Sequence, residues 1–408
     1  MFSAQKQPTA QTLTSLQKRN DSPFDRIQRR GKFFVCVVSV LFSIGAMQVA
    51  FGQTETVLHS FAGGADGSGP AAGVIQDASG NLFGTTYFGG PFGTGTVFEI
   101  SASGTESVLY TFTGLTDGGG PSGDLLLGPH GSLIGTTYFG GAFKNGTIFE
   151  ISPSGTERVI YNFTGGSDGA LPHDGLIHDA QGNLYGTAEY GGTTNNGTVF
   201  ELTTAGKLKV LYSFTGGNDG GTPLGSLVRD AQGNLYGTTY FGGTAGGGTV
   251  FQVTPAGVET VLYSFQGFKD ATGPEGALLR DAAGNLIGTT ITGGQFGGGA
   301  VFRVTPAGKE TVMHSFPGSP DGFFPIATLT MDKNGNLYST TLFGGTNGQG
   351  SVFEITHSGT ESVLYSFTGG ADGGKPQSDL RLDAQGNLYG TTSVGGTQGL
   401  GTVFKIVP

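Results

Sequence analysis

One string limits what this chain can become. "GNLYGTT" at Gly233 recurs as "GNLFGTT" at Gly80, "GSLIGTT" at Gly131, "GNLYGTA" at Gly182, "GNLIGTT" at Gly284, "GNLYSTT" at Gly335 and "GNLYGTT" at Gly386, every step being 51 residues. "GTVFEI"-like elements at Gly95, Gly146, Gly197, Gly248, Gly299, Gly350 and Gly401 keep the same register. So does the phenylalanine closing "VLYSF": Phe61, Phe112, Phe163, Phe214, Phe265, Phe316 and Phe367. A period near ~50 residues belongs to propeller blades or helical arrays. Helical arrays need apolar residues at a 3.6-residue spacing, and none appears. Each unit instead holds four short β-prone segments separated by turn signals. In one unit these are "SLVRD" (226–230), "NLYGTTY" (234–240), "GTVFQV" (248–253) and "ETVLYSF" (259–265). The pattern predicts an all-β chain: a seven-bladed β-propeller of four-stranded blades over residues 53–408.

The phase of the repeats predicts how the ring closes. The first repeat element is a lone fourth strand, "ETVLHSF" (55–61), and the last is a third strand, "GTVFKIV" (401–407). The N-terminal strand is therefore placed to complete the last blade, hiding an edge that would otherwise invite aggregation. Both faces of "VLYSF" and "TVFEI" are largely apolar, which suits sheets packed between two neighbours.

Glycine makes up 79 of 408 residues, yet 36% of the chain is hydrophobic and falls in compact blocks, so the chain is ordered and not low-complexity. Many glycines suit positive-φ turns, and the mid-strand ones (Gly84, Gly135, Gly186, Gly237, Gly288, Gly390) are expected to permit close approach of adjacent blades. The first 52 residues carry seven basic and two acidic groups; the remainder holds 13 basic against 28 acidic residues, a net of −15. Such a field repels a phosphate backbone and excludes nucleic acid as partner. Within residues 1–52, "RIQRRGK" precedes the apolar run "FFVCVVSVLFSIGAMQVAFG". This reads as a secretory leader cleaved after small residues, with an uncleaved membrane anchor as the alternative. The only cysteine, Cys36, lies in that run, so the exported domain is expected to be stable without a disulfide.

In the crossover between units, "F-x-G-x-x-D-G-x-x-P" recurs, with aspartates at Asp66, Asp117, Asp168, Asp219, Asp270, Asp321 and Asp372. A rim of carboxylates invites a calcium reading, but hard cations need several oxygens converging on one ion, and one aspartate per blade is sparse. The favoured reading is structural: each accepts backbone N–H bonds in its own turn. No cofactor is expected. The loop between second and third strands varies most. Phe92, Phe143 and Phe296 stand at its tips, where aromatic rings can stack on sugars, and Glu189 replaces the tyrosine of its sister repeats. These four are the candidate ligand-face residues. His59 and His314 occupy the position that tyrosine holds elsewhere, and the histidines show no metal-ligand spacing. No nucleophile elbow, phosphate loop or H-E-x-x-H motif occurs, so no catalytic residue is assigned.

The unit "GNLYGTTYFGG…GTVFEI…GxExVLYSF" resembles the GloVer tandem repeat of the secreted bacterial "choice-of-anchor" family, over roughly residues 54–408. The resemblance implies bacterial origin and export, with no established activity to carry over. The chain ends at "GTVFKIVP" and not in a hydrophobic tail, which leaves its surface attachment open. The expectation is an exported binding or scaffold module whose partner is an extracellular glycan or surface protein. Membrane contact is expected only through an uncleaved N-terminal segment. The alternative is a propeller hydrolase or lyase acting on extracellular polysaccharide.

Overall fold

Valine, isoleucine, phenylalanine and tyrosine at period two, cut by glycine turns, can only pay for burial as short strands. In the computed structural model, which describes residues 53–267 and 270–408, each repeat does form one antiparallel four-stranded meander. The fourth repeat shows the unit: an inner strand Val228–Arg229, then Leu235–Thr239, Thr249–Val253 and an outer strand Glu259–Ser264. Seven such sheets form a seven-bladed β-propeller. The seventh takes its outer strand from the start of the described chain. Thr54–Ser60 pairs antiparallel with Thr402–Val407, Val57 opposite Phe404, so the ring closes on the N-terminal strand as the repeat phase predicts. The leader reading concerns residues 1–52, outside the described residues.

Two elements differ from expectation. The inner strand shrinks to two paired residues, because the chain must bend from the crossover into the axis before it can run alongside its neighbour. The outer strand is half-buried, whereas Thr249–Val253 is buried on both faces, since only the middle strands have a neighbouring blade over each side.

The seams between blades carry the core. The phenylalanine ending each outer strand meets, edge-on, the phenylalanine of the next blade's third strand. Phe61 packs on Phe98 at 5.2 Å between ring centres, Phe265 on Phe302 at 4.9 Å and Phe367 on Phe404 at 5.0 Å. These rings are fully buried, each contributing about 1.5–3 kcal/mol from burial. The mid-strand glycine serves this layer differently from the sequence reading. A Cβ on Gly237 would lie 2.7 Å from the ring of Phe251 and 3.0 Å from Leu227, both in its own blade. It makes room for the blade's own phenylalanine to lean onto Phe214 of the preceding blade, not for approach of the neighbouring backbone.

The first hairpin is tied by aspartate. Asp230 accepts the backbone N–H groups of Gln232 and Asn234 on one oxygen, and the Asn234 amide and Tyr236 hydroxyl on the other. The second repeat has Gly128 there, and a 3-10 turn, Pro129–Gly131, closes the hairpin instead.

Candidate functional site

Each crossover runs from an outer strand across one face to the next inner strand, so the residue after its proline reaches the central channel. Going round, that position is Ala71, Ser122, His173, Leu224, Glu275, Ile326 and Gln377, different in every repeat. The end of the second strand flanks it with Tyr87, Tyr138, Glu189, Tyr240, Ile291, Leu342 and Ser393. Titratable groups from the second, third and fifth blades come within electrostatic reach of one another at this mouth. Tyr138 donates its hydroxyl to Glu189 at 2.8 Å, and the His173 ring stands edge-on to Tyr138 at 5.9 Å. Glu189 is completely buried, with its other carboxylate oxygen unpartnered, and Glu275 also holds a buried oxygen without a partner. Burial first, and the Glu189 charge after it, push the Glu275 carboxyl up to about 7, with His173 pulling the other way. Burial and the Glu189 charge also hold the Tyr138 phenol well above its usual range.

One or two residues further along the chain, three aspartates face the channel. Asp124 accepts the N–H of Gly73 at 2.7 Å, Asp379 that of Thr328 at 2.7 Å, and Asp174 those of Gly175 and Ser226, also at 2.7 Å. Each thus clamps a neighbouring blade's entry to the axis. Burial, then the Asp379 and Asp174 charges, raise the Asp124 carboxyl well above its ordinary value; burial and Asp174 bring Asp379 to about 7. Asp124, Asp379, Thr328 and Arg381 help line a cavity of about 250 Å³ between the inner strands. Burial in this channel thus opposes the charged form of its carboxyl groups.

The sequence-selected residues fall in three places. Glu189 is in the mouth and buried, not on an exposed loop. Phe92, Phe143 and Phe296 are 61%, 56% and 57% exposed at the loop tips. They share the crossover face with the mouth, because these loops hydrogen-bond to the crossovers, Gly90 N–H to Gly64 carbonyl and Gly243 N–H to Gly217 carbonyl. Phe88 is exposed on the same face.

The repeated aspartates lie apart from the channel, at the blade seams. Asp117 accepts the Thr113 N–H at 2.7 Å, its hydroxyl at 2.5 Å and the Tyr110 hydroxyl at 3.0 Å. Asp168, Asp219 and Asp372 repeat the set with Thr164, Thr215 and Thr368. Asp270 takes the N–H groups of Gln266 and Ala271, and Asp66 that of Ala62. Asp321 takes no backbone donor from its crossover; it contacts His314 at 3.0 Å and pairs across the seam with Glu361. Sequence reasoning missed Asp124, Asp174, Asp379, His173 and Glu275. The available signal was that these positions, just past the crossover proline, break the repeat.

No curated protein matches the chain in sequence. Among solved structures, the extracellular domain described for a hybrid two-component system of B. thetaiotaomicron superposes with a TM-score of 0.58 at 12% identity, over 86% of this chain and 39% of that one. The chain thus spans well under half of that neighbour. A Bacteroides uniformis protein described as a 6-phosphogluconolactonase superposes with a TM-score of 0.50 at 17% identity, over 76% of this chain and 88% of that one. At such identities the likeness is one of fold. The model of the Gloeobacter/Verrucomicrobia repeat matches residues 39–231 and again 217–404, nearly the whole propeller, and by that match the chain belongs to the Gloeobacter/Verrucomicrobia repeat family.

Proposed function

We propose that the protein is an exported binding module whose crossover face holds a neutral or amino-substituted glycan. The observation that carries this reading is the titratable group at the mouth: Glu189, Glu275, His173 and Tyr138 interact with one another below a face bearing exposed Phe92, Phe143 and Phe296. Aromatic rings stack on the apolar faces of sugars, and buried carboxylates with free acceptor oxygens receive hydroxyl or ammonium hydrogens. The net −15 of residues 53–408 disfavours an anionic polysaccharide. Export rests on the leader reading and the family resemblance, and the extracellular origin of a fold neighbour is consistent with it.

The test is calorimetric titration with soluble neutral and amino-substituted oligosaccharides. Phe92→Ala with Phe143→Ala is expected to weaken binding about 10-fold, from about 1–3 kcal/mol of lost stacking. Glu189→Gln is expected to weaken it further. Affinity unchanged in both variants would place the ligand elsewhere.

A second reading has one observation in its favour. Glu275, whose carboxyl burial and the nearby Glu189 hold up to about 7, has the character of a general acid. Under this reading reducing ends are released from a bound polysaccharide, and Glu275→Gln stops their release.

A further inference from the structure

Six blades tie their crossover aspartate with a backbone donor, and four of those add a threonine hydroxyl. The fifth does not. Pro317 stands where Thr113, Thr164, Thr215 and Thr368 stand in sister repeats, and proline offers neither an N–H nor a hydroxyl. Asp321 is left with a buried oxygen, Oδ1, that has no hydrogen-bond partner, although its side chain is only 14% exposed. The same blade also replaces the usual tyrosine with His314, whose Nε2 lies 3.0 Å from Asp321 Oδ2. Across the seam, Glu361 of the sixth blade meets the Asp321 carboxyl. Its Oε1 is buried without a donor, like that of its counterparts Glu55, Glu106, Glu157, Glu259 and Glu310, and only here does it face an aspartate that has no backbone donor. One ligand atom from each of His314, Asp321 and Glu361 falls within 4.8 Å of the others, and among the described residues no other group of three does so.

We infer that His314, Asp321 and Glu361 form a seam site for one divalent transition-metal cation of the Zn²⁺ class, bridging the fifth and sixth blades. The chemistry of the donors selects the cation. One imidazole nitrogen with two carboxylate oxygens suits Zn²⁺, Mn²⁺, Co²⁺ or Ni²⁺, whereas Ca²⁺ takes ~6–8 oxygens. Bonds of ~2.0–2.2 Å draw the long Glu361 side chain inward and leave a position for water or an outside ligand. The facing Asp321 and Glu361 oxygens, which no N–H or hydroxyl of the fold satisfies, become ligands. The seam with His59, Asp66 and Glu106 provides the contrast: it also has histidine, but Ala62 donates its N–H to Asp66 at 2.8 Å and the carboxylate is occupied. The five tyrosine seams offer a phenol that already donates to its aspartate.

The full, untagged chain, stripped with chelator, is titrated with ZnCl₂ and separately with MnCl₂ at pH 7.5, with metal content measured after gel filtration. The expected result is one equivalent bound and a rise in melting temperature on loading. His314→Tyr restores the residue of five sister seams, so it should fold normally, with an unchanged metal-free melting temperature. It is expected to weaken binding on the order of 100-fold. Pro317→Thr, which returns the missing donors to Asp321, is expected to weaken it about 10-fold. Absence of stoichiometric metal would overturn the site and leave Asp321 and Glu361 as a pair sharing a proton. Affinity unchanged in His314→Tyr would also overturn it, moving the cation to another carboxylate cluster such as the channel aspartates.

Discussion

The seams and the channel mouth are built from the same repeated unit and are opposites in chemistry. At the seams the copies agree closely: phenylalanine meets phenylalanine edge-on all the way round the ring, and an aspartate ties six of the seven crossovers through a backbone N–H. At the mouth they disagree, from Ala71 to His173 to Glu275. A side chain at the seam must fill a space bounded by two sheets, and every sheet bounds the same space. A side chain at the mouth lies against the axis and not between two sheets, so the repeat does not fix its identity even where, as at Glu189, it is buried. The mouth and channel accept carboxyl groups whose burial opposes their charge, a local destabilisation that the regular seams offset.

The comparison can be broken first at the closing seam. Removing residues 53–61 takes away Phe61 and the partner of Thr402–Val407, exposing one face of the first blade and one edge of the last. Loss of cooperative thermal unfolding, or a fall in melting temperature larger than for any point variant, is expected by calorimetry; an unchanged transition would show that the ring does not depend on closure. Next, Phe251→Ala empties a fully buried position and should cost about 3–5 kcal/mol in urea unfolding.

The third prediction concerns pH. Glu55, Glu157, Glu259 and Glu310 sit half-buried across seams from Asp372, Asp117, Asp219 and Asp270. Burial first and those aspartates second push each up to about 7. A folded value above the unfolded 4.5 means that the protonated form favours folding. The stabilisation is full below about pH 4.5 and is lost as pH rises through about 7. The melting temperature should therefore fall between pH 5.5 and 8, apart from any other titrations. Changing all four to glutamine should flatten that fall, and an equal slope in the variant would remove these pairs as its cause. The smallest expected effect sharpens the contrast at the channel. Asp379→Asn keeps an acceptor for the Thr328 N–H but removes a charge that burial opposes at pH 7.5. Its melting temperature should rise by about 2 °C. A drop would mean that the charge stabilises the channel.

How much of this was legible depended on distance along the chain. The blade count, the strand order and the closing strand follow from local spacing: the 51-residue step and the phase of "ETVLHSF" against "GTVFKIV". Glu189 was legible as a broken pattern, though its complete burial was not, because a loop tip and a channel mouth look alike in one dimension. Asp124, Asp174 and Asp379 carried no mutual spacing to find. Asp174 even sits one position off the frame shared by the other two.

By itself the sequence determined the architecture, since seven equal units of four short strands bury their apolar faces only by packing on one another around an axis. Only the tertiary structure decided which polar residues meet. Ring closure brings one position from every blade to the same axis, joining Asp124 to Asp379 across 255 residues of chain. It sets Glu361 against His314 across a seam. Contacts of that kind are set by the curvature of the ring, which no window of the sequence contains.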